Sequence, residues 1–350
     1  MDNQTFYSSA AALSAAGLPL RRELEAVEKI YPVKINSYCL KQINPALGSA
    51  DPFYRQLLPD LAELEDQDSD FDPLAEAKQM PVPRLIHRFT DRAVLLATFK
   101  CAVRCRFCFR KRTWRAGVAD EDISDDELKE ITRYLQKTPE IREILISGGD
   151  PVLLGVERMQ KIICELKKAE NIEIIRVATR LPVTAPYLFS CEMIDMLAAI
   201  DGVWLATHFN HPAELTVEST GLLRKIVASG IPVINQSVLL KGVNDDCKIL
   251  EKLFRELVKL RVKPHYLFHV DPVRGVRHFA TGIECGLEIL RHFRKDLSSL
   301  ATPTFAIDLP EGGGKVALQP EYRDSMGRFP DIHNRHYIEY QEHLPGAKAK

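Results

Sequence analysis

From residue 93 onward, short apolar segments alternate with longer amphipathic segments, and this alternation limits the possible folds more than any other feature of the sequence. The apolar segments are near-continuous runs, which is typical of parallel strands covered by helices. The pattern predicts six strands, at 93–99, 142–148, 173–179, 202–209, 232–240 and 264–271. It predicts a helix after each strand, at 124–137, 156–169, 191–200, 218–230, 247–260 and 286–297. Six such units fit either a doubly wound sheet or an open barrel.

Polar residues collect at the points where the predicted strands end. These strand ends read "FKCAVRCRFC", "SGGD", "TRLP", "THFNHP", "LLKGVND" and "HVDP". In both candidate folds the carboxyl ends of the parallel strands meet at one edge, where ligands bind. The sequence therefore predicts a functional site at this edge.

The overall composition argues against some classes of partner. The formal net charge is −1, so no overall field attracts nucleic acid or an anionic membrane. No apolar run approaches the roughly 18 residues of a membrane span, and no basic segment precedes the apolar start, as a signal peptide would require. We therefore expect a cytoplasmic protein that binds neither nucleic acid nor membrane, with its eight cysteines reduced.

Three of the cysteines, Cys101, Cys105 and Cys108, form an organised group after the first predicted strand. A structural zinc site normally takes four ligands in two pairs, and no second cysteine pair follows. A zinc site completed by His87 or His208 remains an alternative. The C-x3-C-x2-C spacing is similar to that of radical S-adenosylmethionine (SAM) enzymes, in which three thiolates hold three irons of a 4Fe–4S cluster. In those enzymes the fourth iron binds SAM.

The segment "SGGD" follows the second predicted strand. In radical SAM enzymes a glycine-rich stretch ending in an acid occupies this position and receives the SAM ammonium. Its members here are Ser147, Gly148, Gly149 and Asp150. A tight connection between strand and helix is the alternative interpretation, because Gly-Gly turns are common there.

Over residues 25–325 the sequence closely resembles the lysine 2,3-aminomutase family, including the relative that makes β-lysine for modification of elongation factor P. The resemblance rests on "PVPRLIHRFTDRAVLLAT", "SGGDPVLL", "VWLATHFNHPAELT", "GIPVINQSVLLKGVND" and "TPTFAIDLPEGGGKVALQPEY", in the same order. It implies an α/β fold, the partial (β/α)6 barrel of radical SAM enzymes, over residues 81–300. Residues 1–80 would be a helical and loop-rich extension, whose acidic stretch at 64–73 we expect to be a solvated linker or surface. Residues 301–350 would form a C-terminal segment that binds pyridoxal phosphate (PLP), and 303–322 within it predict two extended pieces around a glycine turn.

The same resemblance implies roles for single residues. Lys315, after the glycine run, matches the lysine that carries PLP, although a solvent-exposed turn lysine is the alternative. Arg110 matches the arginine directed at the substrate carboxylate. His208 matches a strand-end residue near SAM, with a hydrogen-bonded rim histidine as the alternative. The remaining matches are to the PLP pocket, at Arg88, Arg92 and Gln236.

The implied reaction is a radical migration of an amino group, held as a PLP imine and started by a 5′-deoxyadenosyl radical. In the family's lysine enzymes two aspartates read the side-chain end of the substrate, and they match Asp271 and Asp308. Carboxylates at both positions favour a cationic amino acid, L-lysine first and arginine or ornithine next. Each aspartate has the alternative role of a turn residue beside proline.

Further implied partners are a reductant, either a flavodoxin or ferredoxin or a chemical one, and a second copy of the chain in a homo-oligomer. Supply of β-lysine for elongation factor P is an alternative cellular role. A non-catalytic iron–sulfur protein is the alternative from another functional class, but it would leave "SGGD" and "EGGGK" without a purpose.

Overall fold

The computed structural model describes residues 5–17, 24–114, 121–333 and 335–340. The region before the barrel contains a two-stranded antiparallel sheet of β1 (Phe6–Tyr7) and β2 (Ile35–Asn36). Its short helices are α1 (Ala10–Ala15), α2 (Leu24–Ile30), α3 (Ser37–Gln42) and α4 (Pro52–Leu57). In the described residues, no helix has the length and apolar character needed to span a membrane.

A nine-stranded sheet forms the centre of the molecule, with its strands in the order in which they occur in the chain. Seven neighbouring strands, β4 to β10, run parallel, and an antiparallel strand flanks them at each end. The strands are β3 (Leu85–Phe89), β4 (Arg92–Thr98), β5 (Glu143–Gly148), β6 (Ile174–Ala178), β7 (Val203–Thr207), β8 (Val233–Leu239), β9 (Val262–His269), β10 (Thr304–Leu309) and β11 (Gly314–Leu318). A hairpin of β12 (Arg328–Pro330) and β13 (Tyr337–Glu339) follows.

All six predicted strands are present, as β4 to β9, and the predicted partial barrel is confirmed. The two extended pieces predicted at 303–322 are also present, as β10 and β11. The parallel pairing of β10 with β9 adds a seventh parallel strand that the periodicity did not indicate, and β11 pairs antiparallel with β10. The two ends of the sheet approach each other, because Arg88 on β3 lies 3.7 Å from the Asp308 carboxylate on β10.

Helices cover the outside of the barrel, and their starts follow the local signals. Ser124 caps the first of them and exchanges hydrogen bonds with Glu127 in a capping box. Each longer helix buries one apolar face against the strands. The helices are α5 (Asp125–Lys137), α6 (Val156–Leu166), α7 (Leu181–Thr184), α8 (Cys191–Ala198), α9 (Val217–Ala228), α10 (Cys247–Lys259) and α11 (Ile283–Asp296).

The two faces of the barrel strands differ more than the apolar runs suggest. On β5, Ile144 and Ile146 are fully buried beneath the helices. Glu143, Leu145 and Ser147 alternate with them and face the interior, where they line a cavity. The interior of the barrel therefore contains polar side chains and a cavity in addition to its apolar walls.

The expectation for the acidic stretch at 64–73 is wrong in part. Asp66 is 1% exposed, and its carboxylate accepts a hydrogen bond of 3.0 Å from the backbone N–H of Gly275. Neighbouring residues of the stretch, such as Gln67 and Asp68, are exposed. Buried carboxylates are stable only with hydrogen-bonding partners. Ser69 is a local partner of Asp66, but Gly275 lies on a distant loop that the local composition does not reveal.

Candidate functional site

A cavity of about 450 Å³ lies inside the barrel. Its wall brings together residues from the N-terminal segment, the strands and the loops after them. Nine of the residues predicted for the site contribute to this wall: Arg88, Arg92, Arg110, Ser147, His208, Gln236, Asp271, Asp308 and Lys315. The predicted cysteines lie in the loop at the carboxyl end of β4, Gly148 is the last residue of β5, and Gly149 directly follows it.

Lys315 reaches the cavity because β10 and β11 pair with Asp308 directly opposite Lys315. The turn between them depends on glycine, since Gly312 and Gly314 have φ angles of +82° and +87°. Lys315 Nζ donates a hydrogen bond of 2.6 Å to Asp308 Oδ2 and lies 4.0 Å from the ring centre of Phe268. Burial lowers the pKa of the Lys315 amine, although Asp308 acts in the opposite direction. A lowered pKa favours the neutral amine that a nucleophilic lysine needs.

Two carboxylates share this side of the cavity. Burial, and then repulsion by Asp308, raise the pKa of Asp271 to about 7. The nearby cations Lys315 and Arg88 act against that rise. Two acids that repel each other in a site largely shielded from water form a favourable environment for a ligand cation.

Segment 74–79 of the chain covers part of the cavity and binds its arginines. The guanidinium of Arg110 forms a bidentate pair with the buried Glu76, at 2.8 and 3.1 Å, and donates to Ser147 Oγ at 3.3 Å. Arg88 donates to Gln79 Oε1 at 2.6 Å and to the Leu74 carbonyl at 3.1 Å. Sequence patterns missed Glu76, because a charge pair that spans 34 residues leaves no local signal.

A second group of cations lies around β3, β4, β6 and β9. Arg92 stacks its guanidinium 3.9 Å from the ring centre of Phe89, and Arg176 pairs with Glu143. Burial lowers the pKa of His265 to about 4, and Arg176 adds to this effect. Together with Arg88, these arginines could hold a phosphate group, and the aromatic rings beside Lys315 suit a flat ring. The cavity therefore fits PLP.

The three cysteines occupy the loop after β4, and their thiols are close enough to affect one another. Burial is the main cause that raises the pKa of Cys108, to about 11, and the nearby Cys105 adds to it. Burial also raises the pKa of Cys101, with contributions from Cys108 and Cys105. Among the described residues, no three His, Cys, Asp or Glu side chains converge on a single metal ion. Three neighbouring thiols on one loop, in the spacing C-x3-C-x2-C, could each bind a separate iron of a 4Fe–4S cluster.

The glycines of "SGGD" let the β5 edge approach the cysteine loop closely. A Cβ on Gly148, whose φ is +112°, would lie 2.2 Å from the Thr98 carbonyl oxygen. A Cβ on Gly149 would lie 2.2 Å from the Lys100 carbonyl oxygen. The backbone N–H groups of Gly149 and Asp150 donate to those same two carbonyls, at 2.6 and 2.7 Å. These glycines therefore set the distance between the "SGGD" turn and the first cysteine.

Asp150 is nearly buried, and its carboxylate already has protein partners. One oxygen accepts from Thr179 Oγ1 at 2.8 Å, and the other accepts from the Arg180 backbone N–H at 2.8 Å. Burial raises the pKa of Asp150 to about 6 despite these hydrogen bonds. In this arrangement the Asp150 side chain joins the ends of β5 and β6.

Replacing Gly149 with alanine tests the close approach of these loops. We expect a loss of about 1–3 kcal/mol in the free energy of unfolding, because the added methyl group overlaps a backbone carbonyl. Anaerobically purified Gly149→Ala protein should also bind less iron. Chemical denaturation and iron analysis measure the two effects. Gly221→Ala in α9 is the control, since its new Cβ meets nothing within 4 Å, and it should be neutral or slightly stabilising. Equal stability and iron content in the two variants would contradict this interpretation.

His208 lines the cavity with a ring nitrogen that has no hydrogen-bond partner among the described residues. This atom, Nε2, is buried, and burial lowers the pKa of the ring to about 3. The ring lies 5.4 Å from that of Phe107 in the cysteine loop. A neutral imidazole with an unpaired buried nitrogen is free to bind a ligand. Its position beside the cysteine loop fits SAM.

Comparison with known proteins places the chain in a family. Residues 95–253 match the model of the radical SAM superfamily. A protein of Aquifex aeolicus, provisionally named an L-lysine 2,3-aminomutase, is 42% identical over 308 residues, which cover 87% of this chain and 82% of the relative. The L-lysine 2,3-aminomutase of Clostridium subterminale is 39% identical over 310 residues, which cover 87% and 74%.

A third relative has a different substrate in its name. The glutamate 2,3-aminomutase of Clostridioides difficile is 36% identical over 310 residues, which cover 88% of this chain and 73% of that protein. The three relatives thus share a reaction class and differ in the amino acid. With identities of this size over most of its length, and with cysteines and a lysine placed as described, the chain belongs to the lysine 2,3-aminomutase family of radical SAM enzymes.

Proposed function

We propose that this radical SAM 2,3-aminomutase acts on L-lysine and produces β-lysine. The observation that carries the proposal is the pair of partly buried carboxylates, Asp271 and Asp308, with an alkylammonium group already bound to one of them. That group is Lys315 Nζ, 2.6 Å from Asp308 Oδ2. It has the same chemistry as the side-chain end of lysine.

The charge of this region depends on the state of Lys315. As a free cation, Lys315 compensates Asp308. Before substrate enters, attachment of PLP to the Lys315 nitrogen would weaken that compensation, and the two acids would remain beside each other in a site largely shielded from water. A cationic substrate restores the balance, whereas a third carboxylate would be repelled. This favours lysine, with arginine and ornithine behind it, over glutamate.

The enzyme is an isomerase that uses a 4Fe–4S cluster, SAM and PLP. These groups supply the radical and the conjugated system through which an amino group moves between neighbouring carbons. We assign Cys101, Cys105 and Cys108 to the cluster, and Lys315 to PLP. The other assignments are Ser147, Gly148, Gly149, Asp150 and His208 to SAM, and Arg88, Arg92 and Gln236 to PLP.

Arg110 is assigned to the substrate carboxylate. Its guanidinium lies in the cavity wall and is oriented by Glu76 on one side, while Nη1 points to Ser147. A planar fork of this kind can bind a carboxylate through two hydrogen bonds. Glu76 then has a defined task, because it keeps the buried cation in one orientation before substrate enters.

A comparison of substrates tests the proposal. Protein with iron, SAM and PLP restored under anaerobic conditions is reduced with dithionite and given lysine, arginine, ornithine or glutamate separately. Chromatography of the derivatised amines identifies the β-amino acid formed. We expect lysine to be converted fastest and glutamate to be inert. Preference for glutamate would show that the two aspartates do not read the side chain.

The elevated pKa of Asp271 predicts a pH dependence. An ammonium ion binds the ionised form of this carboxylate, which predominates above its pKa of about 7. We therefore expect kcat/KM for lysine to fall by about tenfold per pH unit below that value. Asp271→Asn should remove this dependence, because it has no proton to lose in this range. An unchanged profile in the variant would assign the dependence to another group.

Four features stay predictions: the domain division at residues 80 and 300, the flavodoxin or ferredoxin reductant, the cytoplasmic location and a homo-oligomer. The contacts of the N-terminal segment with the cysteine loop concern the domain division. Glu63 and Glu76 from this segment form buried ion pairs with Arg106 and Arg110 of the cysteine loop. We therefore expect residues 24–80 to be required for a stable cysteine loop.

A further inference from the structure

Arg180 is the second residue after β6, and its side chain reaches one of the three cysteines. Its Nη1 donates a hydrogen bond of 2.8 Å to Cys105 Sγ. The side chain is 11% exposed, so this contact is largely shielded from water. No role follows for Arg180 from the family resemblance described above, although it belongs to the strand-end segment "TRLP".

The remaining hydrogen-bonding groups of this guanidinium are held by other partners. Nη2 donates to Gln56 Oε1 at 2.7 Å and to Glu214 Oε1 at 2.9 Å. Nε donates to the His208 carbonyl at 3.3 Å. The fork is therefore fixed by an N-terminal helix and by the loop after β7, and its Nη1 edge is directed at the sulfur.

Glu214 balances the charge of Arg180 without contacting the cysteine. It is fully buried, and its second oxygen accepts from the backbone N–H groups of Asn210 and His211, at 2.6 and 3.3 Å. Gln56 Nε2 donates to its first oxygen at 2.7 Å. A buried ion pair of this kind contributes little net stability compared with apolar packing. The pair of Glu214 and Arg180 instead holds the Arg180 guanidinium at a defined position.

We propose that Arg180 raises the reduction potential of the 4Fe–4S cluster by donating a hydrogen bond to the Cys105 thiolate. Reduction adds negative charge to a site shielded from water, and a cation with an N–H directed at a ligand sulfur stabilises the reduced form more than the oxidised form. Glu214 limits this effect because it compensates part of the charge. This inference rests on the proposed function, in which Cys105 is a cluster ligand.

The test is a redox titration of the anaerobically reconstituted protein, with dithionite as reductant and electron paramagnetic resonance as readout. In Arg180→Gln we expect the reduction equilibrium constant to fall by at least tenfold, which corresponds to about 59 mV for a one-electron couple. In Glu214→Gln we expect a shift to higher potential, because the arginine charge is then uncompensated. General damage to the site would move both variants in the same direction.

Arg142→Gln is the matched control. Arg142 pairs with Glu173 at the surface before β5, at the amino ends of the strands, and its loss should leave the potential unchanged. If Arg180→Gln takes up no iron, the reduction potentials of Arg180→Lys and Glu214→Gln test the inference instead. We expect Arg180→Lys to lower the potential by less than Arg180→Gln would, and Glu214→Gln to raise it. A wild-type potential in Arg180→Gln, or shifts of the same sign in Arg180→Gln and Glu214→Gln, would overturn the inference. Wild-type protein that binds no iron would instead contradict the proposed function.

Discussion

The Lys315→Ala variant is expected to hold no covalently attached PLP and to have no measurable aminomutase activity, while its iron content stays at the wild-type value. Lys315 is the one lysine in the cavity wall as far as the chain is described, and burial lowers the pKa of its amine. The cysteines belong to a different loop, so the cluster should form without it. Absorbance of bound PLP and borohydride trapping followed by mass spectrometry measure the attachment.

Two further variants separate the nucleophile from the charge. Lys315→Arg keeps a cation beside Asp308 but cannot attach PLP, and it should be as inactive as Lys315→Ala. Lys263→Ala removes another lysine whose pKa burial lowers, but whose amine binds the Leu300 carbonyl at 2.7 Å instead. This control should retain PLP and activity. A borohydride-stable PLP adduct in Lys315→Ala would identify another lysine as the attachment point.

Asp271→Asn and Asp308→Asn should each reduce kcat/KM for lysine by about two to three and a half orders of magnitude. A buried ammonium that loses one partner is destabilised by about 3–5 kcal/mol, and each 1.4 kcal/mol corresponds to about tenfold. PLP loading and iron content should persist, because neither carboxylate binds those groups. Steady-state kinetics with the cofactors at saturation measure the effect.

Asp201→Asn, at an exposed turn before β7, is the matched control for the loss of one carboxylate. It should leave kcat/KM unchanged. The two variants within the cavity should also lose part of their discrimination against glutamate, because the repulsive element has been weakened. Lysine turnover at the wild-type rate in both would show that the substrate ammonium binds elsewhere.

The barrel could be predicted largely from the sequence because its information is local. Each strand is a short apolar run, the longer covering helices have their own period, several of them begin with a capping side chain, and the strand ends carry polar residues. Two strands could not be assigned to the sheet from local patterns, because their place in it depends on pairing with a neighbouring strand. β3 mixes His87 and Arg88 with apolar residues, and β10 joins β9 only in the folded chain.

The functional site could be predicted only in part. The cysteine spacing and the lysine after a glycine run are local patterns. The three cysteines share the cysteine loop after β4, and Lys315 lies in the wall of the cavity. The partners that orient the cations were missed. Glu76, Arg180 and Glu214 act across 34 to 75 residues, and no local pattern specifies which acid will meet which base. The acidic stretch was misjudged for the same reason.

The most direct test of the central claim is an isotope experiment with L-lysine labelled with ¹⁵N at the α-amino group. The anaerobic enzyme is supplied with SAM, PLP and dithionite, and nuclear magnetic resonance follows the labelled nitrogen. A lysine 2,3-aminomutase moves the label from C2 to C3 of the same molecule and leaves the amount of SAM unchanged over many turnovers. Label that stays on C2 while SAM is consumed would contradict the assignment of this chain as an aminomutase for lysine.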